Sequence, residues 1–377
     1  MGMVLTEEQR LLQENARELF EASAPVETLR KLRDSQDPLG YSADLWRQMV
    51  ELGWTGITLP EASGGSDFGF FGLGLLMEEA GRCLAASPLL ATVAVGASAI
   101  MEGGSEEQQQ TCLPGIVSGE HTLALALEEG RRHDPAQTAL EARRDGDSWL
   151  LSGRKVFVLD GHSADTLVVA ARTAGSPGQQ EGLSLFLLAA DSPGISRKRT
   201  AMVDSRNAAI IVFSDVKASA VLGKVDSGFS LLERVLDCGR AALAAEMLGG
   251  ASALLERTVK YLGEREQFGV KIGSFQALQH RAAHMFSELQ LTRSSVYAAL
   301  DALEQNATDT PALVSAAKVR ANDTYRLLAD ESVQMHGGIG MTDELEIGFF
   351  LKRAQVSCQT FGDSSFHRSR YADFSGF

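Results

Sequence analysis

The sequence predicts an α+β chain in three parts: an N-terminal α-helical domain (residues 1–120), a middle antiparallel β-domain (121–222) and a C-terminal four-helix bundle (223–377). Three observations predict it. Helical periodicity dominates to about Gly119, and short apolar runs punctuated by Gly, Asp and Ser replace it from about His121 to Leu222. Long helical patterns then return from Gly228. At 377 residues the chain has room for roughly two or three hydrophobic cores.

In the first part, Glu7, Leu11, Leu12, Ala16, Leu19 and Phe20 give the mixed face of a surface helix. The run Leu59-Pro60-Glu61-Ala62-Ser63-Gly64-Gly65 breaks the pattern with a turn, and periodicity resumes through Leu73, Leu76 and Met77 into Glu78-Glu79-Ala80-Gly81. The most apolar stretch, Ala85 to Met101, contains Pro88, Thr92 and Gly96 and is too short and mixed to span a bilayer, so it reads as a buried helix. The middle part carries Trp149-Leu150-Leu151, Val156-Phe157-Val158, Leu167-Val168-Val169, Leu185-Phe186-Leu187-Leu188 and Ile210-Ile211-Val212-Phe213, each the length of a strand. In the last part, Leu231, Leu232, Val235, Leu236, Leu243, Met247 and Leu248 mark one face of a first helix. Turns at Gly269–Ser274 and Asn306–Pro311 divide the remainder into about four helices, most economically an antiparallel bundle.

Composition narrows the function. Apolar residues make up 44% and charged residues 22%, ordinary for a folded domain. A net charge of −14 with no Lys/Arg run argues against a nucleic-acid surface. The four cysteines, Cys83, Cys112, Cys238 and Cys358, are far apart, which suggests reduced thiols and a cytoplasmic setting rather than zinc or disulfides. Met1 to Phe20 is charged and amphipathic, unlike a secretion signal, and no membrane span is expected. His133, His162, His336 and His367 lack metal-ligand spacing, and no Ser/His/Asp or Cys/His constellation is visible.

The block Tyr261-Leu-Gly-Glu-Arg265-Glu-Gln267-Phe268-Gly269-Val-Lys-Ile272-Gly-Ser-Phe275-Gln276, with His280 following, resembles the signature of the acyl-CoA dehydrogenase family. Gln334-Met-His-Gly337-Gly338-Ile-Gly340 resembles that family's glycine-rich turn, and Pro60-Glu61, Gly64-Gly65 and Glu78-Glu79-Ala80-Gly81 resemble its N-terminal domain. The likeness spans nearly the entire chain. It implies FAD as cofactor, with Arg265, Gln267, Phe268, Gln334, Gly337, Gly338 and Phe157 as cofactor-binding positions. The chemistry suits this: a guanidinium fork matches a pyrophosphate, and paired glycines let backbone N–H groups approach a phosphate or ribose. In the family the two blocks meet one FAD from neighbouring subunits, so an obligate oligomer, usually a tetramer, is implied.

The family's reaction removes an α-proton beside a thioester carbonyl and passes the β-hydrogen to the flavin, leaving a 2,3-enoyl-CoA; it needs a carboxylate base. Counted forward from Gly337, the usual glutamate position falls on Phe361; the alternative position on the first bundle helix falls on Gly239. Both lack a carboxylate. Asp363, two residues past the first, and Glu246, seven residues past the second, are the substitute catalytic candidates. Asp363 is equally suited to capping a helix before Ser364-Ser365, and Glu246 to a structural ion pair. Asp237 and Arg240 match the family's positions for the pantetheine and thioester end of the substrate; an intrahelical ion pair is their other reading.

Other departures affect the β-domain. The family's hydroxyl-rich Thr-Glu-Pro turn is represented by Leu127-Glu128-Glu129-Gly130-Arg131-Arg132-His133, and its Trp-Ile-Thr by Phe157-Val158-Leu159, followed by Asp160-Gly161-His162. Phe157 can still stack on a flavin, but Leu159 has no side-chain donor. The basic tail Phe366-His367-Arg368-Ser369-Arg370 fits a grip on CoA phosphate or a solvated terminus.

The leading expectation is therefore FAD-dependent dehydrogenation of an acyl-CoA by a chain with a displaced base. Phe157-Val-Leu-Asp-Gly161 and Phe361-Gly-Asp-Ser-Ser-Phe-His367 make it similar to the divergent bacterial branch acting on steroid or bile-acid side chains. A non-catalytic or half-site subunit of a heterotetramer, and a flavin oxidase or monooxygenase on the same fold, are the alternatives. The expected partners are an acyl-CoA substrate, an electron-transfer flavoprotein or similar acceptor, and further subunits of a homo- or heterotetramer.

Overall fold

The computed structural model describes residues 5–377. Helices come first: α1 (Glu7–Ser23), α2 (Val26–Ser35), α3 (Ala43–Glu51) and α4 (Gly69–Arg82), then a π-helical stretch Leu89–Ala97, α5 (Ser98–Gly103) and α6 (Glu106–Val117). Eight strands follow: β1 (Leu123–Ala126), β2 (Glu141–Asp145), β3 (Ser148–Leu159), β4 (Thr166–Arg172), β5 (Leu183–Ala189), β6 (Ile195–Arg199), β7 (Ala208–Ala218) and β8 (Ala220–Leu222). The last part comprises α7 (Phe229–Glu264), a small hairpin of β9 (Glu266–Gln267) and β10 (Val270–Lys271), α8 (Gln276–Glu304), α9 (Thr310–His336), α10 (Ile347–Ser357) and α11 (Ser364–Phe374). The expected helix, sheet, helix order is present. The bundle region holds three long helices and two short ones.

The chain divides into two compact units that cut across the sequence order. One comprises residues 5–31, Phe70–Ala86 and Arg240–Phe377; the other comprises Leu32–Gly69 and Ser87–Gly239. The first unit is organised by a glycine contact. A Cβ at Gly81 would lie 1.9 Å from the Glu246 carbonyl oxygen, and one at Gly249 would lie 1.8 Å from that of Glu78, so α4 and α7 touch backbone to backbone. The paired glutamates of α4 are buried beside this contact and are held by side-chain donors. Tyr297 Oη donates to Glu78 at 2.9 Å with Arg293 Nη2 at 3.3 Å, while Arg17 makes a two-pronged pair with Glu79. Burial raises the proton affinity of Glu78, opposed by Arg293.

In the second unit the sheet order is β6-β7-β3-β2-β4-β5-β8, with β1 beside β4. Most pairings are antiparallel as expected; β1 runs parallel to β4, and Glu141 pairs in parallel with Arg172, so the sheet is mixed. Its core packs Trp149, Leu151, Val158, Phe186, Ile211 and Phe213 from alternating positions. The apolar stretch singled out from sequence is the π-helical segment, with all nine residues buried. Gly96 permits its approach to β1, since a Cβ there would lie 2.5 Å from that of Leu123.

The glycine contact generates a prediction. Gly249→Ala is expected to destabilise the protein by about 1–3 kcal/mol, because the strain of separating two helix backbones outweighs alanine's gain of up to ~1 kcal/mol in helix propensity. Urea or thermal unfolding checks it, and unchanged or raised stability would refute the contact.

Candidate functional site

The candidate residues fall mainly into three constellations, two in the first unit and one in the second. The first lies where α7 and α9 end. Tyr261, on the last turn of α7, stacks on His336 with ring centroids 4.3 Å apart, and its hydroxyl donates to the His336 carbonyl at 3.3 Å. This contact places Arg265, one turn further along, and Gly337-Gly338, directly after His336, at one end of the helical region. Burial pushes His336 down toward its neutral form, and Nδ1 is hydrogen-bonded to the Ser332 carbonyl at 2.7 Å. Gly337 adopts φ 65° and ψ −145°, a conformation essentially reserved for glycine, and a Cβ at Gly337 or Gly338 would meet nothing within 4 Å.

Arg265, Gln267, Phe268, Gln334, Gly337 and Gly338 are all exposed. The Arg265 guanidinium makes no hydrogen bond or ion pair among the described residues. Phe268 sits at the hairpin tip with φ 55° and 90% exposure, its ring edge-on to Phe275 at 6.1 Å. A free guanidinium fork, two glycine N–H groups without a Cβ in front of them and an uncovered aromatic ring form a donor set that fits a dinucleotide cofactor.

The second constellation surrounds the turn between α10 and α11. Phe361 has φ 57° and Gly362 φ 112°. The Phe361 carbonyl accepts from Arg240 Nε at 3.3 Å and lies 3.0 Å from His367 Nε2; the Gly362 carbonyl accepts from Lys318 Nζ at 3.4 Å. Lys318 also donates to Asn322 Oδ1 at 2.6 Å and to the Ser357 carbonyl at 3.0 Å. Arg240, Lys318 and His367 are all 0% exposed. Burial pushes Lys318 down to about 7 and, with Arg240 and Lys318 nearby, holds His367 neutral. The turn at Phe361, the position expected from sequence to lack the family's glutamate, thus has its carbonyls held from α7, α9 and α11.

The two substitute carboxylates are both engaged. Asp363 is the N-cap of α11, its side chain accepting from the Phe366 amide at 2.8 Å. Glu246 is buried and meets Arg353 in a bidentate pair, Nε and Nη2 each at 2.9 Å. Of the substrate candidates, Asp237 is 3% exposed and Arg240 lies with its guanidinium 5.4 Å from the Phe366 ring centroid. The basic tail departs from the reading as a solvated terminus. His367 and Arg370 are buried, Arg370 donates to the Pro311 carbonyl at 2.9 Å and Ser315 Oγ at 2.8 Å, and Arg368 pairs with Asp323. The segment is a docked helix, because its cations find acceptors on α9 that sequence does not display.

The third constellation is in the β-domain. Phe157 stands at a bulge, where the β3–β7 register shifts between Lys155 and Val158, with φ 51°. Lys155, fully buried, donates to the Leu127 carbonyl at 2.9 Å and to Glu129 at 2.6 Å, which organises the loop leading into β2. Burial lowers its proton affinity and Glu129 opposes that shift. Lys155, Lys318 and Arg353 escaped the sequence reading. Lys318 had a signal, since Val314, Lys318, Ala321 and Tyr325 recur at helical spacing on a buried face.

Fold and donor set together define a flavin-type dinucleotide-binding protein. Family models agree: the acyl-CoA dehydrogenase N-terminal domain matches residues 6–120, the middle domain 124–216 and the C-terminal domain 226–375. The mitochondrial isovaleryl-CoA dehydrogenase of Pongo abelii is 32% identical over 93% of this chain and 85% of its own length. The caffeyl-CoA reductase-Etf complex subunit CarC of Acetobacterium woodii is 29% identical over 95% and 94%. Among solved structures, the Tcur3481-Tcur3483 steroid ACAD is 36% identical with a TM-score of 0.88, covering 98% of each chain. The chain belongs to the acyl-CoA dehydrogenase family of FAD-dependent oxidoreductases acting on CH–CH bonds of acyl-CoA thioesters. No described helix is long and apolar enough to cross a membrane, and no group of three or more His, Cys, Asp or Glu able to hold a metal occurs among the described residues.

Lys318 generates a pH prediction. Its folded value of about 7 lies below the ordinary 10.5, so between these values the unfolded chain binds more protons and stability rises with pH. Below about 7 the whole penalty of charging a buried amine applies. Lys318→Met is expected to flatten the rise in unfolding free energy between about pH 7 and pH 9, measured by urea unfolding. An unchanged slope would show that Lys318 titrates normally.

Proposed function

We propose that this chain is a subunit of a heterotetrameric acyl-CoA dehydrogenase acting on bulky, ring-bearing acyl chains of the steroid or bile-acid side-chain type, with the α-proton base supplied by a sister chain. The observation that carries this reading is the state of the carboxylates. Phe361 and Gly239 offer none, Asp363 is committed to a helix cap, and Glu246 is held at both oxygens by Arg353. A base in this reaction must be free to take a proton within about 3–4 Å of the α-carbon. Breaking a buried bidentate pair to release one costs about 3–5 kcal/mol.

Bound FAD supplies the acceptor for the β-hydrogen. The chain's own contribution is positioning. Arg265, Gln267, Phe268, Gln334, Gly337 and Gly338 would contribute to holding a dinucleotide, Phe157 would offer an aromatic face to a flavin, and Asp237 and Arg240 would meet the thioester end of a substrate. Phe268 at 90% exposure, with Phe286 at 55% and Leu291 at 54%, supplies apolar surface for neighbouring subunits to cover. The steroid ACAD at 36% identity carries two chain designations in its name, and the CarC relative is named as part of an Etf complex. These support a mixed oligomer and an electron-transfer flavoprotein as acceptor.

The second reading, a self-sufficient dehydrogenase with Asp363 as displaced base, is favoured by the exposure of Asp363 beside the vacant turn. Asp363→Asn separates the two, because asparagine caps a helix as well as aspartate does but is not a base. On the sister-chain reading the variant changes the rate of anaerobic flavin bleaching by acyl-CoA less than about twofold. Loss of bleaching by a factor of about a hundred or more, with acyl-CoA still bound, would establish Asp363 as the base instead. For the cofactor, Arg265→Ala is expected to weaken FAD retention by about tenfold or more, the value of one charge-assisted hydrogen-bonded contact. Full retention of yellow colour after gel filtration would remove Arg265 from the cofactor site.

A further inference from the structure

The strand that carries Phe157 ends in a strained turn. Phe157 has φ 51° and Asp160 φ 52°, two non-glycine residues in the left-handed region a few positions apart. The turn from β3 into β4 closes tightly. The Gly161 amide donates to the Val158 carbonyl at 3.1 Å, and the Ser163 and Ala164 amides both donate to the Asp160 carbonyl at 3.0 Å. A Cβ at Gly161 would lie 2.5 Å from Val158 Cγ1, so the turn leaves no space for a side chain. Conformations of this kind persist only where the surroundings over-determine them.

The surroundings converge on Asn207, which directly precedes β7 and is 4% exposed. Its carbonyl accepts from the Asp160 amide at 3.1 Å, and its Nδ2 donates to Ser163 Oγ at 2.9 Å and to the Leu39 carbonyl at 3.0 Å. The side chain thereby joins the turn to the loop between α2 and α3. That loop is itself ordered, since Asp37 Oδ1 accepts from the Leu39 and Gly40 amides at 2.9 Å each. Three successive carbonyls of the loop meet side chains of the β-domain: Asp37 accepts from Arg199, Pro38 faces His162, and Leu39 accepts from Asn207. Gly40, with φ 74°, permits the close approach, because a Cβ there would lie 2.6 Å from Arg199 Nη2 and 3.2 Å from Asn207 Cβ. Arg197 adds a donor to the end of the turn, reaching the Ala164 carbonyl at 2.7 Å.

We propose that Asn207 is a positioning residue: by bonding Ser163 and Leu39 through one amide nitrogen, it holds the turn after β3, and with it Phe157, in the conformation that offers the aromatic ring to a flavin. The inference rests on the reading of Phe157 as a flavin-facing residue and adds the group that sets its direction. Asn207 itself touches neither cofactor nor substrate. A left-handed residue relaxes toward the extended region when its neighbours are free to follow, so a strained segment has to be fixed at both ends. The Val156 amide, donating to the Glu128 carbonyl at 2.8 Å, fixes the near end, and Asn207 fixes the far end. Asparagine suits the task because its amide nitrogen carries two N–H donors, one for each acceptor; serine has one donor and aspartate none.

The test compares Asn207→Ala and Ser163→Ala, the second cutting one arm of the bridge, with Ser152→Ala as control, all in the FAD-loaded protein. Ser152 joins β3 to β7 away from the turn, its Oγ donating to Asp215 Oδ1 at 2.9 Å and accepting from the Asp215 amide at 3.1 Å. Amide hydrogen exchange of residues 156–164 and visible circular dichroism of the bound flavin are measured at equal flavin occupancy, with Phe157→Leu as the reference spectrum. Asn207→Ala is expected to speed exchange of the turn amides by about tenfold or more and to shift the flavin dichroism in the same direction as Phe157→Leu. Ser163→Ala is expected to do both to a smaller extent, and Ser152→Ala neither. Should Asn207→Ala not fold, Ser163→Ala decides by the same criteria. Unchanged exchange overturns the proposal, as does an equal change in the Ser152→Ala control. Faster exchange with an unaltered spectrum overturns it too, since the turn is then held without directing Phe157. An unaltered spectrum in Phe157→Leu itself removes Phe157 from the flavin, and that failure is separate because it leaves the exchange result for Asn207 standing on its own.

Discussion

The contact of α4 with α7 through Gly81 and Gly249 fixes where the functional residues of α7 stand. With the two backbones in direct contact, α7 has no freedom to roll, since any rotation drives a carbonyl into the neighbouring helix. Registered in this way, the helix presents Arg240 to the Phe361 carbonyl, Glu246 to Arg353 and Tyr261 to His336. Each of those partners comes from α9, α10 or the turn before α11, so the contact with α4 is the reference for the whole first unit. The buried Glu78 and Glu79 are consequences of the same closeness: glutamates flanking a backbone contact lose water and must be met by Tyr297, Arg293 and Arg17.

The turn at Phe361 illustrates how backbone carbonyls help to satisfy buried charge. Arg240 and Lys318 donate to carbonyl oxygens there, and Lys318 lowers its own cost by a depressed proton affinity near neutrality. His367 is held neutral and hydrogen-bonded to the same Phe361 oxygen. The positive φ of both turn residues aims the two carbonyls at donors from three helices. The hydrogen bonds to these carbonyls offset both the strain in the backbone and the desolvation of the donors, which is why the turn persists.

Much of the fold was legible in the sequence because it depends on local periodicity. The switch from helical spacing to short β-branched and aromatic runs near His121, and back near Gly228, is a property of neighbouring residues. The candidate cofactor residues were legible for a related reason: Arg265-x-Gln267-Phe268-Gly269 and Gly337-Gly338 are contiguous blocks. What escaped was set by distance along the chain. Glu246 meets a partner 107 residues away and Arg240 one 121 residues away, so neither its partner nor its burial is readable from its surroundings. The tail misled for a different reason. His367, Arg368 and Arg370 have the composition of a solvated end, and only the acceptors on α9 convert them into a docked helix.

The proposed division of labour follows from the electrostatics of that turn. A general base needs a pocket that raises the proton affinity of its carboxylate, which means low polarity and no neighbouring cation. Here the turn is bordered by a buried arginine and a buried lysine that both donate to its carbonyls. A carboxylate introduced beside them would be drawn into those donors and held ionised, with its proton affinity lowered. It would also disturb the hydrogen bonds that keep the turn in place. Such a turn works against a base at this position, which is the basis of the proposed division of labour. Supplying the carboxylate from a second polypeptide lets each chain keep one electrostatic environment, and a mixed oligomer is the simplest arrangement that provides both.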